Sequence, residues 1–584
     1  MIEVRHKTFV RKKILCISLC SVILLFALLG RLIYLMVYQA EHYSALATKL
    51  HERERSIKAE RGRIIDTNGV VIADNKTVCS ISVIHNQITD PEEVIRVLSS
   101  ELGISQDYVR KRVEKYTSIE KIKSNVDKAI GDKIRSYDLA GVKVDEDSKR
   151  DYPYGELASK VLGFTGSDNQ GIIGLEVVYD EYLSGKSGTI LTVTDAKGIE
   201  IESAGERRIE PVAGNDLQLT IDVNIQQYAT QLALEAMETK QAEKVSVIVM
   251  NPQNGEILAM VDVPEFDLND PFVVPGKLAE ANPGVDDQTL LNQVWRNGCI
   301  SDTYEPGSTF KMITAATALE YDVVTTESTF YCPGYVMVED RRIRCHKTTG
   351  HGSQDFVKAT MNSCNPVFVT VGTKIGVDRF YESFERLGLL TKTGIDLPGE
   401  ANTIMHKKEN VEAVELATIS FGQSFQITPI KLIATAAEVV NGGNQVTPHL
   451  GKQIVDRQTG QSQILNFPVK EDVLSKETSA QMREILEKVV SEGGGKNAKI
   501  EGVRIGGKTA TSETLPRGRG VYIASFIGFA PADDPKVMAL VIIHHPEGVY
   551  YGGTIAAPVV RKLFENILPY LDIMDYNKNN SESN

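Results

Sequence analysis

Seven cysteines among 584 residues are too few for a disulfide scaffold, so this fold must stand on an apolar core. Basic charge is also in short supply. Lys and Arg number 64 against 77 Asp and Glu, giving a net charge of −13, and no basic stripe follows the N-terminus. That balance excludes a protein that tracks a nucleic acid backbone. No internal repeat or long low-complexity segment occurs, which excludes a solenoid or a largely disordered chain. Long hydrophobic runs are missing too, with one exception at 14–30 that resumes at 32–38 beyond Arg31.

That run suffices for one membrane span, which needs roughly 17–25 apolar residues. Arg5, Lys7, Arg11, Lys12 and Lys13 precede it, and the positive-inside rule then keeps the N-terminus cytoplasmic. The rival reading is a cleaved signal peptide, but the run is long for one and no small-x-small site follows it. The expectation is a single-pass protein of the cell membrane: 1–13 cytoplasmic, 14–38 the anchor, and everything beyond outside the membrane.

The length allows two to four domains. Residues 41–58 read as a polar helix leaving the membrane. Arg61-Gly62-Arg63-Ile64-Ile65-Asp66 and Val70-Val71-Ile72-Ala73, joined through Asn68-Gly69, read as a hairpin. Residues 88–147 are charged and helix-periodic; 151–215 are rich in glycine and short strands. Together 41–215 form an elongated, non-catalytic region. A second block, 216–571, opens with strands at 217–222, 245–250 and 256–261 and a helix at 225–239. It closes with strands at 503–511, 522–529 and 537–544 and a helix at 556–570. A long helical insertion lies between. Strands at both ends with helices between imply an α+β fold built on an antiparallel sheet. The polar tail at 572–584 is expected to be disordered.

Three short motifs carry chemistry. In Tyr304-Glu305-Pro306-Gly307-Ser308-Thr309-Phe310-Lys311, Pro and Gly break the chain before a good helical run. Ser308 sits at the helix start and Lys311 lies three residues on, on the same face. A serine needs a nearby base to become a nucleophile, and a lysine serves if burial lowers its pKa. Asn362-Ser363-Cys364-Asn365-Pro366 lies in a loop between helical stretches and turns a hydroxyl and an amide to one side. Gly506-Gly507-Lys508-Thr509-Ala510-Thr511 sits on a strand, where a lysine with hydroxyl neighbours can bind a carboxylate. Each alone is also what a helix cap, a turn or an edge strand looks like. A phosphate loop is excluded by spacing.

Ser-x-x-Lys, Ser-x-Asn and a Lys-Thr pair in this order form the set of penicillin-binding proteins and serine β-lactamases. The chain resembles class B penicillin-binding proteins of the division and sporulation type. Arg61-Gly62-Arg63 through Gly69, Arg150-Asp151-Tyr152-Pro153, Leu162-Gly163-Phe164-Thr165-Gly166 and Gly174-Leu175-Glu176 are similar to that family's pedestal signatures. Thr393-Gly394-Ile395-Asp396-Leu397-Pro398-Gly399-Glu400 and Phe421-Gly422-Gln423 match further on. The block Cys332-Pro333-Gly334, Cys345-His346 and Ser363-Cys364-Asn365 looks most like sporulation-type members. One departure is Ala510, where the family usually has glycine.

The resemblance implies a transpeptidase domain on an elongated pedestal and a peptidoglycan D,D-transpeptidase of septal division or spore cortex synthesis. Ser308 is the implied nucleophile and Lys311 its base. Ser363 relays a proton, Asn365 holds the peptide amide, and Lys508, Thr509 and Thr511 bind the terminal carboxylate. The backbone N–H groups of Ser308 and Thr511 form the implied oxyanion hole. No cofactor is implied. The implied partners are peptidoglycan stem peptides, inhibitory β-lactams, a SEDS-type glycosyltransferase, divisome or sporulation proteins and the membrane. The alternatives are a catalytically weak penicillin-binding scaffold or a β-lactamase-like hydrolase. Cys332, Cys345 and Cys364 are candidate redox cysteines, through a Cys332–Cys345 disulfide or one engaging Cys364. Their spacing, with His346 and His351, matches no standard zinc motif, and no metal is assigned.

Overall fold

The computed structural model describes residues 2–43, 52–117, 119–193 and 206–573. The chain forms two compact units. The first comprises Met1–Ala59, Thr77–Lys149 and Lys186–Val212. Its N-terminal helix, Ile2–Ile33, extends through a π-turn at Tyr34–Tyr38, and Val10–Tyr38 is long and apolar enough to cross a membrane. Val10–Tyr38 presents its apolar side chains outward all round, with none of its most apolar stretch buried in protein. A helix apolar on every face is stable only in lipid or in a core.

The same unit contains a three-stranded antiparallel sheet of Glu52–Ile57, Gly188–Val193 and Glu206–Ile209. A small core of Cys79, Ile81, Val94, Leu98, Ile122 and Ile134 lies among helices Pro91–Leu102, Gln106–Val113 and Lys128–Ser136. Two sequence expectations are corrected here. The polar helix at 41–58 gives way to strand at Glu52–Ile57, and 44–51 lies outside the described residues. The helix-periodic stretch 88–147 contains strand Glu120–Asp127 and the start of Val142–Asp151. In Glu120–Asp127 only Ile122 and Val126 are buried, so its signal is drowned by charged residues.

The second unit comprises Glu60–Lys76, Arg150–Gly185 and Ala213–Asn584. The first part of the glycine-rich stretch 151–215 forms helical turns at Ser159–Leu162, Gly174–Val178 and Asp180–Leu183, and its short strands follow at Gly188–Val193 and Glu206–Ile209. Its glycines serve close backbone approach: a Cβ at Gly163 would lie 1.9 Å from the Ile173 carbonyl oxygen. The polar tail from 574 lies outside the described residues.

The framework of this unit is a five-stranded, wholly antiparallel sheet. Its order is Ile257–Val263, Lys244–Met250, Val537–His544, Tyr522–Ala530 and Gly506–Glu513. Both faces are covered, so the strands read as continuous apolar runs rather than alternations. Val245, Val247, Val249, Val541 and Ile543 face helices Val223–Thr239 and Ala557–Tyr570. Ile248, Met250, Leu540 and Ile542 face the insertion, which contributes helices Lys311–Glu320 and Pro429–Val440. Each fully buried aliphatic side chain contributes about 1.5–3 kcal/mol. Gly506–Glu513 is the edge strand, with one side of its backbone unpaired within the sheet.

Candidate active site

The edge strand, the start of helix Lys311–Glu320 and the loop before helix Asn365–Arg386 converge. From Tyr304 to Leu319 every residue is buried except Ser308, which is half-exposed. A tight 3-10 turn, Gly307–Phe310, leads into the α-helix, so Ser308 stands at the helix's positive end. Two glycines make this turn possible. Gly307 has φ +56 and donates its N–H to the Gly422 carbonyl at 2.9 Å. Gly422 has φ +87, and a Cβ there would lie 2.0 Å from the Gly307 oxygen. Glu305 is a member of the site that its motif alone does not announce. Its buried carboxylate accepts from the Ser424 N–H at 2.8 Å and from Arg517 Nη2 at 2.9 and 2.7 Å. It thus ties the Gly307–Phe310 turn to the loop beyond the edge strand.

Lys311 is completely buried. Its Nζ donates to the Ser363 carbonyl at 2.8 Å, to Ser363 Oγ at 3.1 Å and to Asn365 Oδ1 at 2.7 Å. Burial lowers its pKa to about 7, against a partial upward pull from Cys364 and Cys345. A lysine with that pKa is a usable base at neutral pH. Ser363 is held in the left-handed region, φ +48, between helices Phe356–Met361 and Asn365–Arg386. Strain of this kind persists only where the surroundings fix it, and here three motifs do.

Lys508, also buried, donates to Ser363 Oγ at 3.1 Å and to the Thr509 carbonyl at 3.0 Å. Its pKa is lowered by burial and by the neighbouring Lys311. Ser363 Oγ therefore bridges the two lysines, and a charge on one disfavours a charge on the other. The strand's alternation puts Lys508, Ala510 and Ser512 on its buried face. A Cβ at Gly307 would lie 2.2 Å from Ser512 Oγ and 3.6 Å from Ala510 Cβ, so the Ala510 methyl faces the Gly307–Phe310 turn. Thr509 and Thr511 project to the other face, where Thr511 Oγ1 accepts from the Gly552 N–H at 3.1 Å. The structure thus gathers Lys311, Ser363, Asn365 and Lys508 by hydrogen bonds. Ser308 Oγ makes no hydrogen bond among the described residues, and the two threonine hydroxyls do not share the Lys508 face.

A second cluster adjoins the first. All seven cysteines are free thiols in this structure. Cys332, Cys345, Cys364 and His351 bring their donor atoms within 4.8 Å of one another. His346 is not among them; its Nδ1 lies 3.9 Å from Cys345 Sγ, against 3.6 Å for His351. Cys345 is shifted toward thiolate, chiefly by its hydrogen bond with Cys364, and Cys364 is pushed the opposite way. Three buried thiols and a partly buried imidazole in a four-donor grouping fit a tetrahedral zinc ion. The spacing conceals the set because its members come from three separate segments.

Residues 245–565 match the penicillin binding protein transpeptidase domain, and 56–219 match the penicillin-binding protein dimerisation domain. The chain belongs to the class B penicillin-binding proteins. Among similar proteins, Stage V sporulation protein D of Bacillus subtilis is 39% identical over 573 residues, spanning 97% of this chain and 86% of that protein. The peptidoglycan D,D-transpeptidase FtsI of Buchnera aphidicola is 29% identical and spans 97% of both. Penicillin Binding Protein 2X of Streptococcus thermophilus shares the fold, with a TM-score of 0.72 at 20% identity over 88% of this chain and 80% of that one. As in any penicillin-binding protein transpeptidase domain, the cleft is built for acyl transfer through a serine.

Proposed function

We propose that this penicillin-binding protein cross-links peptidoglycan as a serine D,D-transpeptidase, with Ser308 as nucleophile. Lys311 takes the hydroxyl proton as Ser308 Oγ attacks the penultimate D-Ala carbonyl of a donor stem. The backbone N–H groups of Ser308 and Thr511 stabilise the oxyanion. Ser363, between the two lysines, passes a proton to the departing D-Ala amine as the peptide bond breaks. Asn365 orients the donor amide. Lys508 carries the charge that meets the terminal carboxylate, with Thr509 and Thr511 along the strand edge. An acceptor stem's amine then attacks the acyl-enzyme, forming the new amide and returning Ser308. A β-lactam acylates the same serine.

The observation that carries this reading is Lys311, fully buried, its pKa lowered to about 7 and hydrogen-bonded to Ser363 and Asn365. Cys332, Cys345, His351 and Cys364 would hold a zinc ion, which would supply a structural clamp beside the Ser363–Asn365 loop. Residues 41–215 act as a non-catalytic pedestal to the 216–571 transpeptidase. The apolar helix is the anchor, with 1–13 cytoplasmic and the catalytic unit outside. The sporulation name of the Bacillus subtilis relative supports work in sporulation or division; a SEDS-type glycosyltransferase is our proposed partner, because no glycan-polymerising domain is read in this chain.

Incubating the purified chain with a donor pentapeptide and an amine acceptor tests the reaction. Release of D-Ala with formation of the donor–acceptor amide is expected, lost in Ser308→Ala. Release of D-Ala by water alone, or rapid turnover of a chromogenic cephalosporin, would instead favour the hydrolase reading.

A further inference from the structure

Between Cys332 and Cys345 the chain forms a short hairpin, Tyr335–Val338 paired with Arg341–Arg344. Both feet are anchored. The Cys345 N–H donates to the Gly334 carbonyl at 2.9 Å, and Cys332 and Cys345 converge on Cys364 in the catalytic loop. A further bond runs directly to the site: Asn365 Nδ2 donates to the Arg344 carbonyl at 3.2 Å, while Asn365 Oδ1 accepts from Lys311. The hairpin is therefore one hydrogen bond from a residue of the proposed mechanism.

Its two faces differ. Val336, Val338 and Ile343 pack against the core. The register Tyr335↔Arg344 and Met337↔Arg342 puts those four residues on the opposite face. Arg342 and Arg344 are exposed there. The Arg342 guanidinium stacks over the Tyr335 ring at 3.9 Å, which pre-orients it. Among the described residues neither arginine has an acidic partner, in a chain with 77 acidic and 64 basic residues. Arg341, on the other face, is paired with Asp340 at 3.5 Å.

We propose that Arg342 and Arg344 are specificity residues that bind a carboxylate on the stem peptide, upstream of the D-Ala that reacts. This rests on the transpeptidase reading above. A guanidinium engages a carboxylate through two parallel hydrogen bonds, and a stem peptide carries carboxylates on its glutamate and on its diamino acid when neither is amidated. Adjacent residues advance about 3.3–3.6 Å in an extended peptide, so an acid one or two residues upstream lies within the reach of a long side chain beside Asn365.

The test uses the full-length chain in detergent with synthetic donor pentapeptides in three forms: free acid, glutamate-amidated and diamino-acid-amidated. Wild type is expected to show a lower KM for the free acid than for one amidated form, and that form identifies the carboxylate. Arg344→Ala or Arg342→Ala is expected to raise KM for the free acid about tenfold with kcat little changed, and to abolish the preference. Arg344→Lys should keep part of it. A preference that survives in both alanine variants, or no preference in wild type, overturns the proposal. Penicillin acylation of wild type, measured in parallel, separates the two ideas: acylation without a stem-acid preference sinks the arginine proposal alone, whereas failure of acylation sinks the transpeptidase reading beneath it.

Discussion

Lys311 concentrates the residue-scale argument. A buried ammonium is costly, so the fold favours the neutral amine, and its pKa falls to about 7. The neutral form is the one that can accept the Ser308 proton. Protonation below that pKa removes the base. The second-order rate of acylation by benzylpenicillin should therefore fall about tenfold per pH unit below 7 and level off above it. A rate independent of pH between 5.5 and 8.5 would take Lys311 out of the role. At this scale the grouping of Lys311, Ser363, Asn365 and Lys508 was legible, because each stands in a motif of fixed spacing. Glu305 and Arg344 were not. Their importance comes from partners at Ser424 and Asn365 that no local spacing records.

Elements, rather than residues, decide which groups meet. The closing strands and the Val537–His544 run were readable because continuous apolar character marks a strand covered on both faces. Of the stretch 151–215, the short strands at Gly188–Val193 and Glu206–Ile209 were readable, but the helical turns between Ser159 and Leu183 were not, since glycines that permit backbone contact look the same as glycines that punctuate strands. The Cys332–Cys345–His351–Cys364 set belongs to this scale too, because it joins the hairpin's feet to the helix that starts at Asn365. The purified chain should carry about one zinc per molecule by elemental analysis. Cys364→Ser should lower that content and, through the adjoining Ser363–Asn365 loop, slow penicillin acylation. Zinc-free protein that still acylates at the full rate would leave the thiols as bare packing.

Across the whole molecule, distant segments of the second unit are joined by buried charge. Arg61 has no exposed surface and donates to Glu176 Oε2 at 2.5 Å, Asp180 Oδ1 at 2.7 Å and the Asn169 carbonyl at 2.9 Å. Arg150 Nε meets the other Glu176 oxygen at 2.7 Å, and the Tyr152 hydroxyl donates to it at 3.1 Å. Removing Arg61 leaves the fully buried Glu176 carboxylate with Arg150 as its remaining cation and takes away half of its compensation. Arg61→Ala should cost about 3–5 kcal/mol in chemical denaturation, and a loss below ~1 kcal/mol would mean the network is not fully desolvated. The hairpin signature around Arg61 was plain in the sequence, but its three partners lie more than a hundred positions away and were not. The acidic balance and the single apolar helix were legible from composition alone.

Everything proposed for the site turns on Ser308 being the acylated nucleophile. The most direct test is mass spectrometry of the purified chain after exposure to benzylpenicillin, with peptide mapping of the adduct and Ser308→Ala alongside. The account predicts one covalent penicilloyl group per chain, located on the peptide containing Ser308 and missing from the variant. An adduct on another residue, or none in folded wild-type protein, would contradict it.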